Sequence, residues 1–228
     1  MGDTQLRKYE EYAYVLDYKS RGKSTTVRGR TGVIVIALGE ERLTLLEILG
    51  AEDSTFDIGE RVYIGKEGRT KVQSVLGKMD YGKTPESAKN EIPNVVEFIV
   101  TTNEKKFVDY INNAQPLTPR VHALELIPGI GKTYMNIIIK ERENEKFQSY
   151  DDIEERTGLK EPIKHLTKRI VEEITGDVRM NLFVKRSTNL KNLVNIFLNQ
   201  KPLQNLLFPM QKLQEMMLFL KSEQAMEF

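Results

Sequence analysis

"LIPGIGKTY", residues 126–134, decides how this chain is read. Its GIGKT ending suits either the close of an ATP-binding phosphate loop or the turn of a helical hairpin that faces a nucleic-acid backbone. A phosphate loop reads G-x-x-x-x-G-K-[ST] between a strand and a helix. Counting back from Gly131, its first glycine falls on Leu126, and no strand leads in. Thr118-Pro119 followed by Val121, Leu124 and Ile127 predicts instead a helix over 118–127, with an N-cap, a first-turn proline and an apolar face. The NTPase reading fails on that spacing.

The hairpin reading uses more of the residues. Pro128 stops the first helix, Gly129 and Gly131 permit a tight turn, and a second helix starts near Lys132 with Met135, Ile138, Ile139 and Arg142 at helical spacing. The N–H groups of Ile130, Gly131 and Lys132 are then expected to lack intrahelical partners and to point at an anion, with Lys132 adding a point charge. A phosphate fits such a place without any base being read. An ordinary connection between two core helices would carry the same turn, and the motif alone leaves both open.

"KFQSYDDIEERTGL" (146–159) follows. Ser149 with Asp152 is a capping-box-like helix start, and Asp151, Asp152, Glu154 and Glu155 suit the positive end of the helix dipole better than a metal cluster. Gly158 closes this helix. Pro162 opens another, with Ile163, Leu166, Ile170, Val171 and Ile174 on one stripe and a stop at Gly176. Thr157-Gly158-Leu159-Lys160 thus takes the place of a second, degenerate hairpin turn, which makes Gly158 and Lys160 further candidates for phosphate contact.

"LELIPGIGKTYMNIIIKERE" (124–143) together with "FQSYDDIEERTGL" resembles a tandem helix-hairpin-helix module, found in many proteins that bind DNA or RNA without sequence preference. With the N-terminal part, about residues 9–177 resemble an archaeal family of uncharacterised proteins that share a domain of unknown function and are suspected of binding RNA. The resemblance implies a small barrel joined to the hairpin module, and RNA rather than DNA as partner. It implies no reaction.

The N-terminal residues support a barrel independently. "YAYVLDY" (12–18), "VIVIAL" (33–38), "RLTLLEIL" (42–49), "RVYIG" (61–65) and "KVQSVL" (71–76) are five β-rich runs separated by turn chemistry. Such a set predicts a small closed barrel of the OB type, with an SH3-like barrel as the alternative. "KSRGKSTTVRGRTG" (19–32) is expected to be a flexible loop joining the first two strands. It carries Lys19, Arg21, Lys23, Arg28 and Arg30, with no acid between 18 and 39. Such loops meet phosphate backbones through charge, and OB folds use this one for oligonucleotides. Tyr12, Tyr14 and Tyr18 share strand parity, which predicts one common face, either for base stacking or for core packing.

The expected fold class is therefore α+β and multi-domain: a five-stranded OB-like barrel over 1–82, a helical connector over 83–116 punctuated by Pro85 and Pro93, and an all-α helix-hairpin-helix domain over 117–177. A helical or poorly ordered tail over 178–228 has apolar stripes at Leu190, Leu193, Val194 and Phe197 and at Leu213, Met216, Met217 and Leu220, which leave open a cover for the core, self-association, a surface for protein partners, or disorder.

Composition bounds the function. The 228 residues carry 34 Lys+Arg against 33 Asp+Glu, a net charge of +1, so any polyanion must meet a local patch. No cysteine excludes disulfides, thiol nucleophiles and thiolate zinc sites, and the two histidines, His122 and His165, are far apart in sequence. No cofactor or metal site is expected, and with no signal peptide or apolar span the chain reads as cytoplasmic. These features predict a non-enzymatic, sequence-tolerant nucleic-acid binder that uses Gly129, Ile130, Gly131 and Lys132, the loop cations Arg21, Lys23, Arg28 and Arg30, and Gly158 and Lys160. The alternatives are a nuclease holding magnesium on carboxylates such as Asp57 or Asp151, which no carboxylate spacing supports, and a protein-interaction scaffold.

Overall fold

The structure, a computed structural model, describes residues 10–185. Five of its strands form one antiparallel sheet: β1 (Tyr12–Lys23), β2 (Thr31–Gly39), β3 (Leu45–Gly50), β4 (Arg61–Tyr63) and β5 (Val72–Lys78). Their order is β4-β1-β2-β3-β5, a Greek key in which the fourth strand returns beside the first and the fifth extends the other edge. The five strands fall where the β-rich runs predict them. Closure does not follow. β4 has only three residues and lays no ladder against β5, so the sheet curls into a half-barrel. Between these two edges lies a cleft of about 750 Å3. Arg69 laces its mouth by donating to the carbonyls of Ile64 (3.2 Å), Gly65 (2.5 Å) and Gln73 (3.3 Å).

"VIVIAL" is apolar at every position because both faces of β2 are covered. Val33, Val35 and Ala37 join Ala13, Val15, Ile48, Phe56 and Val62 inside the curl. Ile34, Ile36 and Leu38 face outward into a second core that runs continuously through the helices. That second core is built on α1 (Glu86–Thr102), which packs on β1 and on the last helix and buries Ala88, Ile92, Val95, Val96, Ile99 and Val100. Pro93 does not interrupt α1 as its position suggests: it sits on the exposed face, where the missing N–H costs one bond on the solvent side. α2 (Glu104–Asn113) follows directly and adds Phe107, Val108 and Ile111.

The predicted helix over 118–127 is absent. Pro116–Thr118 (β6) and Val121–His122 (β7) form a small hairpin instead, and a single 3₁₀ turn spans Ala123–Leu126. Pro119 disfavours the helical conformation at Thr118, whose hydroxyl accepts the Arg120 N–H (3.3 Å) as in a side-chain turn. The cap lies four residues later, at His122. Its Nδ1 accepts the Leu124 N–H (3.1 Å), while Glu125 accepts the His122 N–H (3.1 Å). Burial and the Arg142 guanidinium hold the His122 imidazole below its ordinary pKa, which suits an acceptor nitrogen.

α3 (Lys132–Asn144), α4 (Tyr150–Thr157) and α5 (Pro162–Thr175) fall where the caps and stripes place them. Ser149 accepts the Asp152 N–H (3.1 Å) as the expected N-cap, but Asp152 reaches back to Gln148 N–H (2.9 Å) rather than to Ser149, so the box is not reciprocal. The chain stays tied to the fold beyond Asp177. Buried Glu173, paired with Arg169 (2.9 Å), accepts the N–H groups of Leu182, Phe183 and Val184 at 2.7, 2.9 and 2.8 Å. The apolar stripes from 190 onward lie outside the described residues.

Because α1 shares one core with the sheet and with α5, removing a side chain there should weaken both together. Ile99→Ala, at a site with no exposure, is expected to cost about 2–5 kcal/mol. In urea unfolding, far-ultraviolet circular dichroism at helix wavelengths and tyrosine fluorescence should shift to a lower midpoint as one transition. Two separated transitions would contradict the shared core.

Candidate nucleic-acid interface

The turn after the 3₁₀ segment is built around Gly129. Ile127 and Ile130 are buried on either side of Pro128, and the Ile130 N–H donates to Ile127 O (3.0 Å). Ile130 therefore anchors the turn and offers no donor outward, contrary to the expectation from sequence. The outward donors are the N–H groups of Gly131 and Lys132, which have no acceptor among the described residues. Gly129 has φ +89°, and a Cβ there would lie 2.3 Å from the imidazole of His165. Glycine is required at 129 by backbone and space alike. Gly131 differs: its φ is −80° and a Cβ would meet nothing within 4 Å, so its open side faces solvent. Lys132 is exposed and, among the described residues, takes part in no salt bridge or side-chain hydrogen bond. The turn thus presents two amide donors at the start of α3 with a free ammonium beside them, an arrangement that accepts an anion.

At the second turn the candidate donors are already engaged by a side chain of the protein. α4 ends at Gly158, left-handed at φ +73°, and Leu159 is buried beneath it. Glu154 accepts the Glu161 N–H (3.2 Å) and the Lys160 ammonium (2.8 Å), the cation that the sequence offered for phosphate contact. This contact holds the Glu154 carboxyl below its ordinary pKa and the Lys160 ammonium above its own. Tyr134 of α3 donates to Gly158 O (3.4 Å) and joins the two turns.

The basic segment is not the loop its composition suggests. β1 runs on to Lys23 and β2 begins at Thr31, so Arg21 and Lys23 stand on a strand of a projecting hairpin and Arg28 and Arg30 at its tip. All four side chains are exposed, and none makes a salt bridge or hydrogen bond among the described residues. The nearby acids are engaged elsewhere. Asp17 accepts from Ser87 (2.6 Å). Glu47 accepts from Ser24 Oγ (2.6 Å), Thr25 N–H (2.9 Å), Thr25 Oγ1 (3.0 Å) and Thr26 N–H (2.8 Å). Burial alone would raise the Glu47 pKa, yet the donors from Ser24, Thr25 and Thr26 outweigh it and hold the carboxyl below its ordinary value. Sequence reasoning missed Glu47. Its one signal is a carboxylate in the middle of the apolar run "LLEILG". Among the described residues no hydrogen bond or ion pair joins this arm to either turn.

The tyrosines do not share a face. A bulge at Leu16, between the pairs Val15↔Ala37 and Asp17↔Ile36, reverses the parity of β1. Tyr14 enters the outer core and its hydroxyl donates to Glu40 (3.2 Å). Tyr18 packs on Phe56 inside the curl, and Tyr12 is sandwiched by Tyr63 and the Arg61 guanidinium. Among the described residues no group of three or more His, Asp or Glu side chains gathers as a metal site, and no helix is long and apolar enough to cross a membrane.

Residues 9–185 match the family described as "Protein of unknown function (DUF655)". An uncharacterised protein of Methanocaldococcus jannaschii, MJ0038, is 41% identical over 181 residues, which span 78% of this chain and 82% of that one. The crystal structure of Af1531 from Archaeoglobus fulgidus matches with a TM-score of 0.68 at 37% identity, over 77% of this chain and 100% of that chain.

Two outcomes follow from the geometry. Gly129→Ala should cost at least about 1–2 kcal/mol from the left-handed backbone, whereas Gly131→Ala should stay within about 0.5 kcal/mol of the parent; thermal melts of the two check this. For Glu47, the folded pKa lies below the unfolded one, so its stabilisation is present above the ordinary carboxylate value of 4.5 and is lost as pH falls through the depressed folded value. Amide exchange at Thr25 and Thr26 should therefore accelerate, relative to the β3 core, in that acidic window and not above it.

Proposed function

This chain belongs to the DUF655 family, whose description names no activity, and from its own surface we propose that it binds nucleic acid, RNA in preference to DNA, through the phosphate backbone and without reading sequence. One observation carries the reading. Arg21, Lys23, Arg28 and Arg30 stand exposed on one hairpin and, among the described residues, unpaired, while Arg61, Arg142, Arg156 and Arg169 are all consumed in capping or ion pairs. Four unneutralised cations on one arm of a nearly neutral chain make a polyanion the natural ligand.

The turn at 128–132 supplies a second contact of another kind. Gly131 and Lys132 amides at the start of α3, with the Lys132 ammonium, suit a single phosphate, as the first hairpin of a helix-hairpin-helix module would. The short 3₁₀ segment and α3 form that hairpin in this reading, and α4, Gly158 and α5 form the degenerate second one. There Gly158 and Lys160 contribute less, since Glu154 already fills the site. The Greek-key half-barrel is read as a partly open OB-like fold, in which the β1–β2 arm is a common place of oligonucleotide contact. The preference for RNA rests on the family resemblance.

Fluorescence anisotropy with a labelled RNA across a salt series tests this. Log affinity should fall linearly with log salt, and changing Arg28 and Arg30 together to Ala should reduce the slope by about two while leaving the melting temperature unchanged. Gly131→Val should weaken binding in a folded protein, because its side chain would stand where the phosphate approaches, and Lys132→Ala should cost less. Affinity that does not respond to salt, or that survives all of these changes, would count against the proposal.

A further inference from the structure

The arm that carries the four cations is fastened down along its tip. Ser24, Thr25 and Thr26 all donate to the Glu47 carboxylate, and the Ser24 hydroxyl in turn accepts the Thr26 and Val27 N–H groups at 3.2 and 2.8 Å. Backbone bonds from Ser24 N to Arg30 O (2.8 Å) and from Arg30 N to Val27 O (3.3 Å) close the tip on itself. Glu47 has no solvent exposure. Across the ladder it pairs with Gly77, where a Cβ would come within 2.8 Å of the Thr26 methyl; the absent side chain is the room into which the tip settles. Ordering of this segment is therefore complete before any ligand arrives, and binding does not bear that entropic cost.

A fixed array of charges gains most from a ligand whose phosphates are also held at fixed spacing. A flexible single strand must be ordered to match it. Proteins that take single strands compensate with aromatic platforms on which splayed bases stack. This surface has none at the arm: residues 19–55 contain no aromatic, Tyr14 is buried, and Tyr12 and Tyr18 are packed against Tyr63 and Phe56. Duplex RNA, by contrast, is recognised through its shape, phosphates and 2′-hydroxyls.

Resting on the nucleic-acid reading above, we propose that Glu47 is a positioning residue that locks the arm into a preformed array for the phosphate backbone of a helical duplex, in preference to a single strand. The full chain is titrated with a hairpin RNA and with an unpaired RNA of the same length at one salt concentration. The hairpin should bind about tenfold more tightly. Glu47→Gln presents an amide to the donors of Ser24 and Thr26, frees the arm while keeping every cation, and should bring that ratio toward one. The unpaired RNA should bind as before, and amide exchange at Thr25 and Thr26 should rise. Ser24→Ala removes the hydroxyl's bond to Glu47 and the two it accepts from Thr26 and Val27, leaves the carboxylate and the core in place, and should give a smaller loss in the same direction; where Glu47→Gln does not fold, it decides the matter alone. Parent protein that binds both RNAs equally overturns the inference and leaves the proposed function standing. A folded variant with faster exchange and an unchanged ratio overturns the role of Glu47. Binding of neither RNA at low salt overturns this inference and the proposed function together.

Discussion

Helix α1 lies across the outer face of the sheet, and most of the molecule depends on that contact. It turns β1 and β2 from half-buried strands into strands covered on both sides, and it carries the sheet's outer core through Val96, Ile99 and Val100 to Leu166, Ile170 and Ile174 of α5. A half-barrel with an open seam has little core of its own. Here the inner cluster around Val35, Ile48 and Phe56 is completed by an outer one that the helices share. The segment between the sheet and α3–α5 is thus the centre of the packing rather than a tether.

A second theme is the use of carboxylates. Glu47 holds the arm, Glu173 holds 182–184, Glu154 holds the second turn, and Glu104 accepts the Tyr150 N–H at 2.6 Å at the start of α4. Glu10 accepts from Glu41 and Arg42 (2.9 and 3.0 Å), with burial raising its pKa against those bonds. Each satisfies backbone donors that would otherwise lie unpaired in a loop or helix start. These carboxylates keep their charge but direct it at donors of their own, so that among the described residues the side chains of Arg21, Lys23, Arg28 and Arg30 enter no ion pair.

The two candidate contacts differ in physical kind. In the proposed reading the arm acts by charge, at long range and under salt control, whereas the turn at Gly131 acts by directed amide donors at short range. Both are held rigid from beneath, the arm by Glu47 and the turn by buried Ile127 and Ile130 with His165 against Gly129.

Local rules were enough to place the five strands, the starts of α4 and α5 at Ser149 and Pro162, their stops at Gly158 and Gly176, and the start of α3 after Gly131, because caps, prolines and left-handed glycines act within a few residues. The cations of the arm and the glycines of the turn were legible for the same reason. Tertiary structure decided the rest. The bulge at Leu16 that parts Tyr14 from Tyr18 and the open seam beside three-residue β4 depend on partners distant in sequence, whereas the hairpin at 116–122 is local and follows from Pro119 barring helix at Thr118. Lys160 looked like an outward cation until the fold brought Glu154 to it. Glu47 drew no reading from sequence, since a carboxylate on a strand shows its role only once something, here the arm, is packed over it.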